Sequence, residues 1–140
     1  MFKIVTTQDE MLKAYSIRSI VFVEEQHCPY DIDIDGKDFS ALHVLGEIDN
    51  EPFATGRMRF IGEWVKLERL AIRQAYRGKG YGNRLIEFMI NTARENGYNN
   101  IKLHAQTQTL DFYIKHGFEP KGDFFFEADI EHQLMVRVEK

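Results

Sequence analysis

The sequence predicts one mixed domain of the α/β (α+β) class. Three observations carry that expectation. Residues 42–72 hold three stretches of alternating apolar side chains separated by turn signals, which reads as an antiparallel meander. Residues 85–93 place apolar side chains at helical spacing directly after a glycine-rich loop. The 140 residues contain no repeat and no low-complexity linker, a length that suits a single domain with a single core, residues 1–140.

Taken in order, residues 2–5 alternate weakly and predict a first strand. Thr7 and Glu10 then form a capping box, in which the threonine bonds the amide three residues on and the glutamate reaches back. Met11, Tyr15 and Arg18 follow at helical spacing, so helical structure is expected to run towards Glu24 or Glu25, with one break allowed. Pro29 opens a polar loop to about Phe39. Leu42, Val44 and Ile48 mark a strand, Asp49 to Pro52 a turn, residues 53–60 a second strand, and residues 61–63 another turn. In the third strand, residues 64–72, the apolar parity changes: Val65 and Leu67 are odd, Leu70 and Ile72 even. A change of face within one strand requires an extra residue, so a β-bulge is expected near Glu68 and Arg69. Leu85, Ile86, Met89, Ile90 and Ala93 form one helix face, with Gly97 as its stop. Ile101, Leu103 and Ala105 predict a strand, residues 110–116 a short helix halted at Gly117, and residues 124–126 and 134–138 two further strands.

Composition narrows the function. A formal net charge of −4 argues against a general nucleic-acid binder, which should carry a basic face. No run approaches the length of a membrane span, and the N-terminus lacks the apolar core of a signal peptide, so the expected location is cytoplasmic. One cysteine, Cys28, permits no internal disulfide, and no Cys/His spacing suggests a metal site. Residues 31–38 imitate half of a calcium loop, but Phe39 and Leu42 occupy its ninth and twelfth positions, so calcium is not expected either.

The informative stretch is Arg77-Gly78-Lys79-Gly80-Tyr81-Gly82. It lacks the Lys-Ser/Thr of a P-loop and the third glycine of the dinucleotide fingerprint. What remains is a helix N-terminus with bare, outward amides and two added cations, which suits a diphosphate without a metal.

This hexapeptide resembles the Arg/Gln-x-x-Gly-x-Gly/Ala signature of the GNAT superfamily of acyl-CoA-dependent N-acyltransferases. LERLAIRQAY resembles that family's bulged central strand, and Phe112-Tyr113-Ile114-Lys115-His116-Gly117-Phe118 its FYxxxGF segment. VFVEEQ with Pro29, KLER, HAQTQ and His132-Gln133-Leu134-Met135 are similar to the small bacterial ElaA/YjcF-like branch. The resemblance implies a central mixed, mostly antiparallel sheet flanked by helices, and acetyl-CoA as co-substrate. It implies that pantetheine lies along Leu70, Ala71 and Ile72 and that the diphosphate rests on the amides of Arg77, Gly78, Lys79, Gly80, Tyr81 and Gly82. A neutral amine would then attack the thioester directly. Tyr113 matches the family's acid, because a phenol is protonated at neutral pH. His132 is the candidate base, and Glu68 at the bulge its rival, acting directly or through water. Gln106 departs from the family's usual Asn but is still able to bond a pantetheine amide.

The expected partner is a small-molecule amine acceptor, with no nucleic acid and no membrane. In this superfamily the region after the N-terminal helices borders the acceptor site, which singles out Glu25 and Gln26. Glu24, Asp31, Asp33, Asp35 and Asp38 are expected to attract a cationic amine. Arg18 and Arg57, with Arg59, are candidates to meet an acceptor carboxylate or phosphate. Exposed strand edges near the C-terminus are compatible with a homodimer. The alternative of a different class is a non-catalytic acyl-CoA-binding regulatory module.

Overall fold

The computed structural model describes residues 1–139. Seven strands form one sheet: β1 (Phe2–Ile4), β2 (Leu42–Ile48), β3 (Glu51–Ile61), β4 (Trp64–Ile72), β5 (Asn100–Gln106), β6 (Glu119–Glu127) and β7 (Ile130–Val138). Their order is β1-β2-β3-β4-β5-β7-β6. Only the β4–β5 pairing is parallel; the other neighbours are antiparallel. The helices are α1 (Gln8–Arg18), α2 (Tyr30–Asp33), α3 (Tyr81–Glu95) and α4 (Leu110–Ile114). Among the described residues no helix is long and apolar enough to cross a membrane.

Helix α1 starts at the expected capping box. Thr7 Oγ1 accepts from the Glu10 amide at 3.1 Å, and the Glu10 carboxylate accepts from the Thr7 amide at 3.2 Å. The helix does not stop at Arg18 but widens into a π-helical segment, Ser19–Glu25, where the Gln26 amide reaches back five residues to Val21 O. One feature of residues 29–39 departs from the expected loop: Tyr30–Asp33 make a helical turn, with the Asp33 amide bonded to Pro29 O.

The parity argument for β4 holds. Arg57 pairs with Glu68 and Thr55 with Ala71, so Gly56 alone faces Arg69 and Leu70, and Arg69 takes φ +56°. Before the bulge, Val65 and Leu67 pack under α3 with Leu85, Ile86, Met89 and Ile90. After it, Leu70 and Ile72 join that side, while Ala71 turns to the opposite cluster of Ile17, Val21 and Leu45 beneath α1. The bulge also marks a parting of strands. β4 pairs with β5 only from Trp64–Asn100 to Leu67–Leu103, after which β5 continues alongside β7 to Gln106. The end of β4 therefore has no strand neighbour on its β5 side.

The last two strands join through Ala128 and Asp129, both at positive φ, as a two-residue hairpin turn matching the strand twist demands.

Candidate active site

A cavity of about 420 Å³ opens where β4 and β5 part. Its walls bring together Gln26, Glu68, Leu70, Gln106, Tyr113 and His132, which lie far apart in the chain. A second cavity, about 270 Å³, lies against Ile72, Arg77, Gly78, Gly80, Tyr81, Gly82 and Phe112. The unpaired end of β4 contributes Leu70 to the first and Ile72 to the second, so one free strand edge runs between them. Ala71 is buried between the two, and Lys79 is exposed.

The glycine loop ends in a left-handed residue, Gly80 at φ +84°, from which α3 starts; Gly78 is also left-handed at +77°. A side chain at either position would strain the turn. The amides of residues 78–83 have no acceptor among the described residues, as a helix N-terminus requires. The Arg77 amide is spent on Gln74 O at 3.2 Å, so the row of free donors begins one residue later than expected. The Arg77 side chain donates to Ile72 O and pairs with Glu25 at 2.6 Å. Glu25 thus braces the loop rather than facing the larger cavity.

In that cavity His132 is nearly buried, and its Nδ1 lies 2.6 Å from Ile130 O. A carbonyl only accepts, so Nδ1 carries a proton, and Nε2 is the ring nitrogen with no hydrogen-bond partner among the described residues. Phe125 stacks on the ring with centroids 6.0 Å apart. Burial pushes the Tyr113 phenol up to about 12, so it stays protonated across the physiological range. Gln106 Nε2 donates weakly to Gln26 Oε1 at 3.4 Å, bringing the two expected amides together across the cavity.

Glu68 sits among cations. Arg57 at 3.0 Å, Arg59 at 2.5 Å and Lys66 at 3.2 Å surround its carboxylate. Burial alone would raise its pKa, but the Arg59 hydrogen bond and the charges of Arg57 and Lys66 outweigh that and hold it at about 2. A carboxylate so stabilised has little affinity for a proton.

Arg18 and Arg57, expected at the acceptor, are buried instead. Arg18 bonds Asp33 O at 2.6 Å and Asp38 Oδ1 at 2.8 Å. Arg57 meets both Asp35 oxygens at 2.8 Å and Asp38 at 2.9 Å. Asp33, Asp35 and Asp38 are consequently not free acids awaiting a cationic amine, because each neutralises a guanidinium in the interior. The Arg57 hydrogen bond holds Asp35 well below the usual carboxylate range, and Arg18 and Arg57 overcome burial to hold Asp38 down as well. Desolvating these arginines without the aspartates would be costly, which explains the pattern.

Two cavity residues were missed as functional candidates, His104 and Glu127. His104 shares the parity of Gln106 on β5, and that alternation was the available signal.

The acetyltransferase (GNAT) family matches residues 8–118. The uncharacterized N-acetyltransferase YjcF of Bacillus subtilis (strain 168) is 31% identical over 136 residues, covering 96% of this chain and 97% of its own. ElaA of Escherichia coli (strain K12) is 33% identical over 127 residues, covering 86% of this chain and 82% of its own. Among solved structures, an acyl-CoA N-acyltransferase from Pseudomonas aeruginosa superposes with TM-score 0.91 at 27% identity, covering 99% of both chains.

Proposed function

From the premise that this chain belongs to the acetyltransferase (GNAT) family, we propose that it transfers an acetyl group from acetyl-CoA to a primary amine of a small molecule. One observation carries the reading: unpaired amides at residues 78–83 are joined, by the free end of β4, to a cavity holding a protonated phenol and an imidazole with an open nitrogen. The amides and the dipole of α3 suit a diphosphate, with the Lys79 charge nearby. The edge at Leu70, Ala71 and Ile72 suits an amide-bearing pantetheine arm, which can bond it as an added strand does. Gln106 offers a further amide at the inner end.

In the chemical step the amine nitrogen bonds to the thioester carbonyl carbon. His132 Nε2 takes the proton that nitrogen sheds, directly or after attack. The tetrahedral intermediate collapses, the C–S bond breaks, and the sulfur leaves with its charge facing the Tyr113 hydroxyl. Glu68 is the weaker base by its low pKa and acts instead on the ionic floor of the site.

The test is thiol release from acetyl-CoA across a panel of small amines, with product mass read in parallel. Release matched by acetylated amine supports the reading. Tight acetyl-CoA binding with no turnover on any amine would favour a non-catalytic acyl-CoA-binding module. Absence of acetyl-CoA binding would refute both.

A further inference from the structure

The carboxylates around the larger cavity are not equivalent. Asp33 is held by Arg18 and Arg69, Asp35 by Arg57 and Arg69, and Glu68 by Arg57, Arg59 and Lys66. Glu127 has no Arg or Lys partner among the described residues. Its Oε1 lies 2.6 Å from His104 Nδ1, and its Oε2 makes no bond among the described residues. A carboxylate at neutral pH only accepts, so His104 donates to Glu127 from Nδ1. The edge-to-face contact of His104 with Phe125, at 4.9 Å, holds the imidazole in that orientation. Glu127 itself is 47% exposed, at the cavity mouth.

We infer that Glu127, oriented by His104, binds the ammonium group of the acceptor, and that the acceptor carries a single positive charge. The inference rests on the acyltransferase reading and adds the substrate class: a primary monoamine, not a polyamine or a multiply aminated sugar. An ammonium needs an acceptor oxygen that is not already neutralised, and Glu127 Oε2 is the one the cavity's described carboxylates leave. A second positive charge would find on the same walls Lys37, a cation with no carboxylate partner among the described residues, and no further free carboxylate to offset it. Phe125 is paired with His132 across the hairpin, and Glu127 stands two residues along the same strand face. An ammonium on Glu127 is therefore delivered to the side of the hairpin that carries the base; it gives up one proton there before its nitrogen attacks, and the second, shed after attack, leaves with the departing thiolate as the CoA thiol or passes to solvent.

The experiment measures acceptor kinetics with n-butylamine, 1,4-diaminobutane and spermidine at saturating acetyl-CoA, on the wild-type chain and Glu127→Gln. Acetyl-CoA binding is followed on the same samples by thermal stabilisation. Butylamine is expected to be the best of the three in kcat/KM. Glu127→Gln is expected to raise its KM about fivefold or more, with kcat and acetyl-CoA binding little changed. A structural role for Glu127 would not produce that split. With acetyl-CoA binding intact, three results would each overturn the ammonium site while leaving the cofactor reading standing: spermidine ahead of butylamine, a butylamine KM unchanged in the variant, or no amine of the three consumed. Failure of the wild-type chain to bind acetyl-CoA would overturn the acyltransferase reading, and this inference with it.

Discussion

Replacing Tyr113 with Phe removes one oxygen and asks how the leaving sulfur is stabilised. Burial pushes this phenol up to about 12. A cysteine-like thiol titrates near about 8.5. Full proton transfer from such a phenol to such a thiolate runs uphill by roughly 3.5 powers of ten, or about 5 kcal/mol. A hydrogen bond from the intact phenol to the developing negative charge requires no transfer and contributes about 1.5–3 kcal/mol. That corresponds to about 10- to 150-fold in rate. Tyr113→Phe is therefore expected to lower kcat by this factor while the KM for acetyl-CoA stays close to wild type. Folding should be little affected, since the ring keeps its contacts with Phe112 at 5.1 Å and Phe118 at 5.9 Å. Thiol release under single-turnover conditions is the assay, so that slow product release cannot hide the effect. The raised phenol carries a second expectation: no Tyr113-dependent fall in rate below about pH 11. Full kcat in the variant would remove Tyr113 from the chemistry. A basic limb near pH 10 that vanishes in the variant would show that the phenol is not desolvated.

On the proposal that His132 is the base, His132→Ala should flatten the acidic limb of the pH–rate profile; an acidic limb identical to wild type would dismiss His132 from that role. Stability should fall in acid, with the sign set by depressed carboxylates. Glu68 is held at about 2 against an ordinary 4.5, and Asp35 and Asp38 are lowered too. Their contribution is fully present above the unfolded value and is lost as pH falls from about 5 towards 2, with Glu68 alone on the order of 3 kcal/mol. Thermal melts at stepped pH should show this decline, shallower in Glu68→Gln. A wild-type melting temperature that is flat down to pH 3 would contradict the ionic cluster.

The backbone plan was legible where a local period or a local cap decided the conformation. The capping box at Thr7 and Glu10 requires only neighbours in sequence, and so does the α3 face from Leu85 to Ala93. The bulge at Arg69 was legible for a subtler reason: a parity change in β4 has few physical causes other than an inserted residue. The ionic interior was not legible. Arg57 stands in the run Phe53-Ala54-Thr55-Gly56-Arg57-Met58, at a position whose face is buried, and reads equally as a ligand arginine or a paired one. What decides between them is Asp35 and Asp38, some twenty residues away in a segment with no periodicity of its own. The helical turn Tyr30–Asp33 escaped for the same reason, since its place is set by Arg18 and Arg69 rather than by propensity.

The bulge and the ionic cluster serve one arrangement. The odd residues of β4 before the bulge, Val65 and Leu67, build the core under α3, so the even ones, Lys66 and Glu68, must face the other way. A charged face at the centre of a sheet is tolerable only if its members neutralise one another, and Arg57, Arg59, Asp35 and Asp38 supply the partners. The inserted residue then returns apolar side chains to the core side just where β4 leaves β5, so Leu70 and Ile72 stay packed against the core on one side while lining the two cavities on the other. The floor of the cavity is electrically spent, and the groups left with something to exchange are those that β7, α4 and the end of β6 bring over it: His132, Tyr113 and Glu127. A site built this way should tolerate changes of acceptor by substitution at the hairpin, while any change to the arginine–aspartate floor should act first on stability.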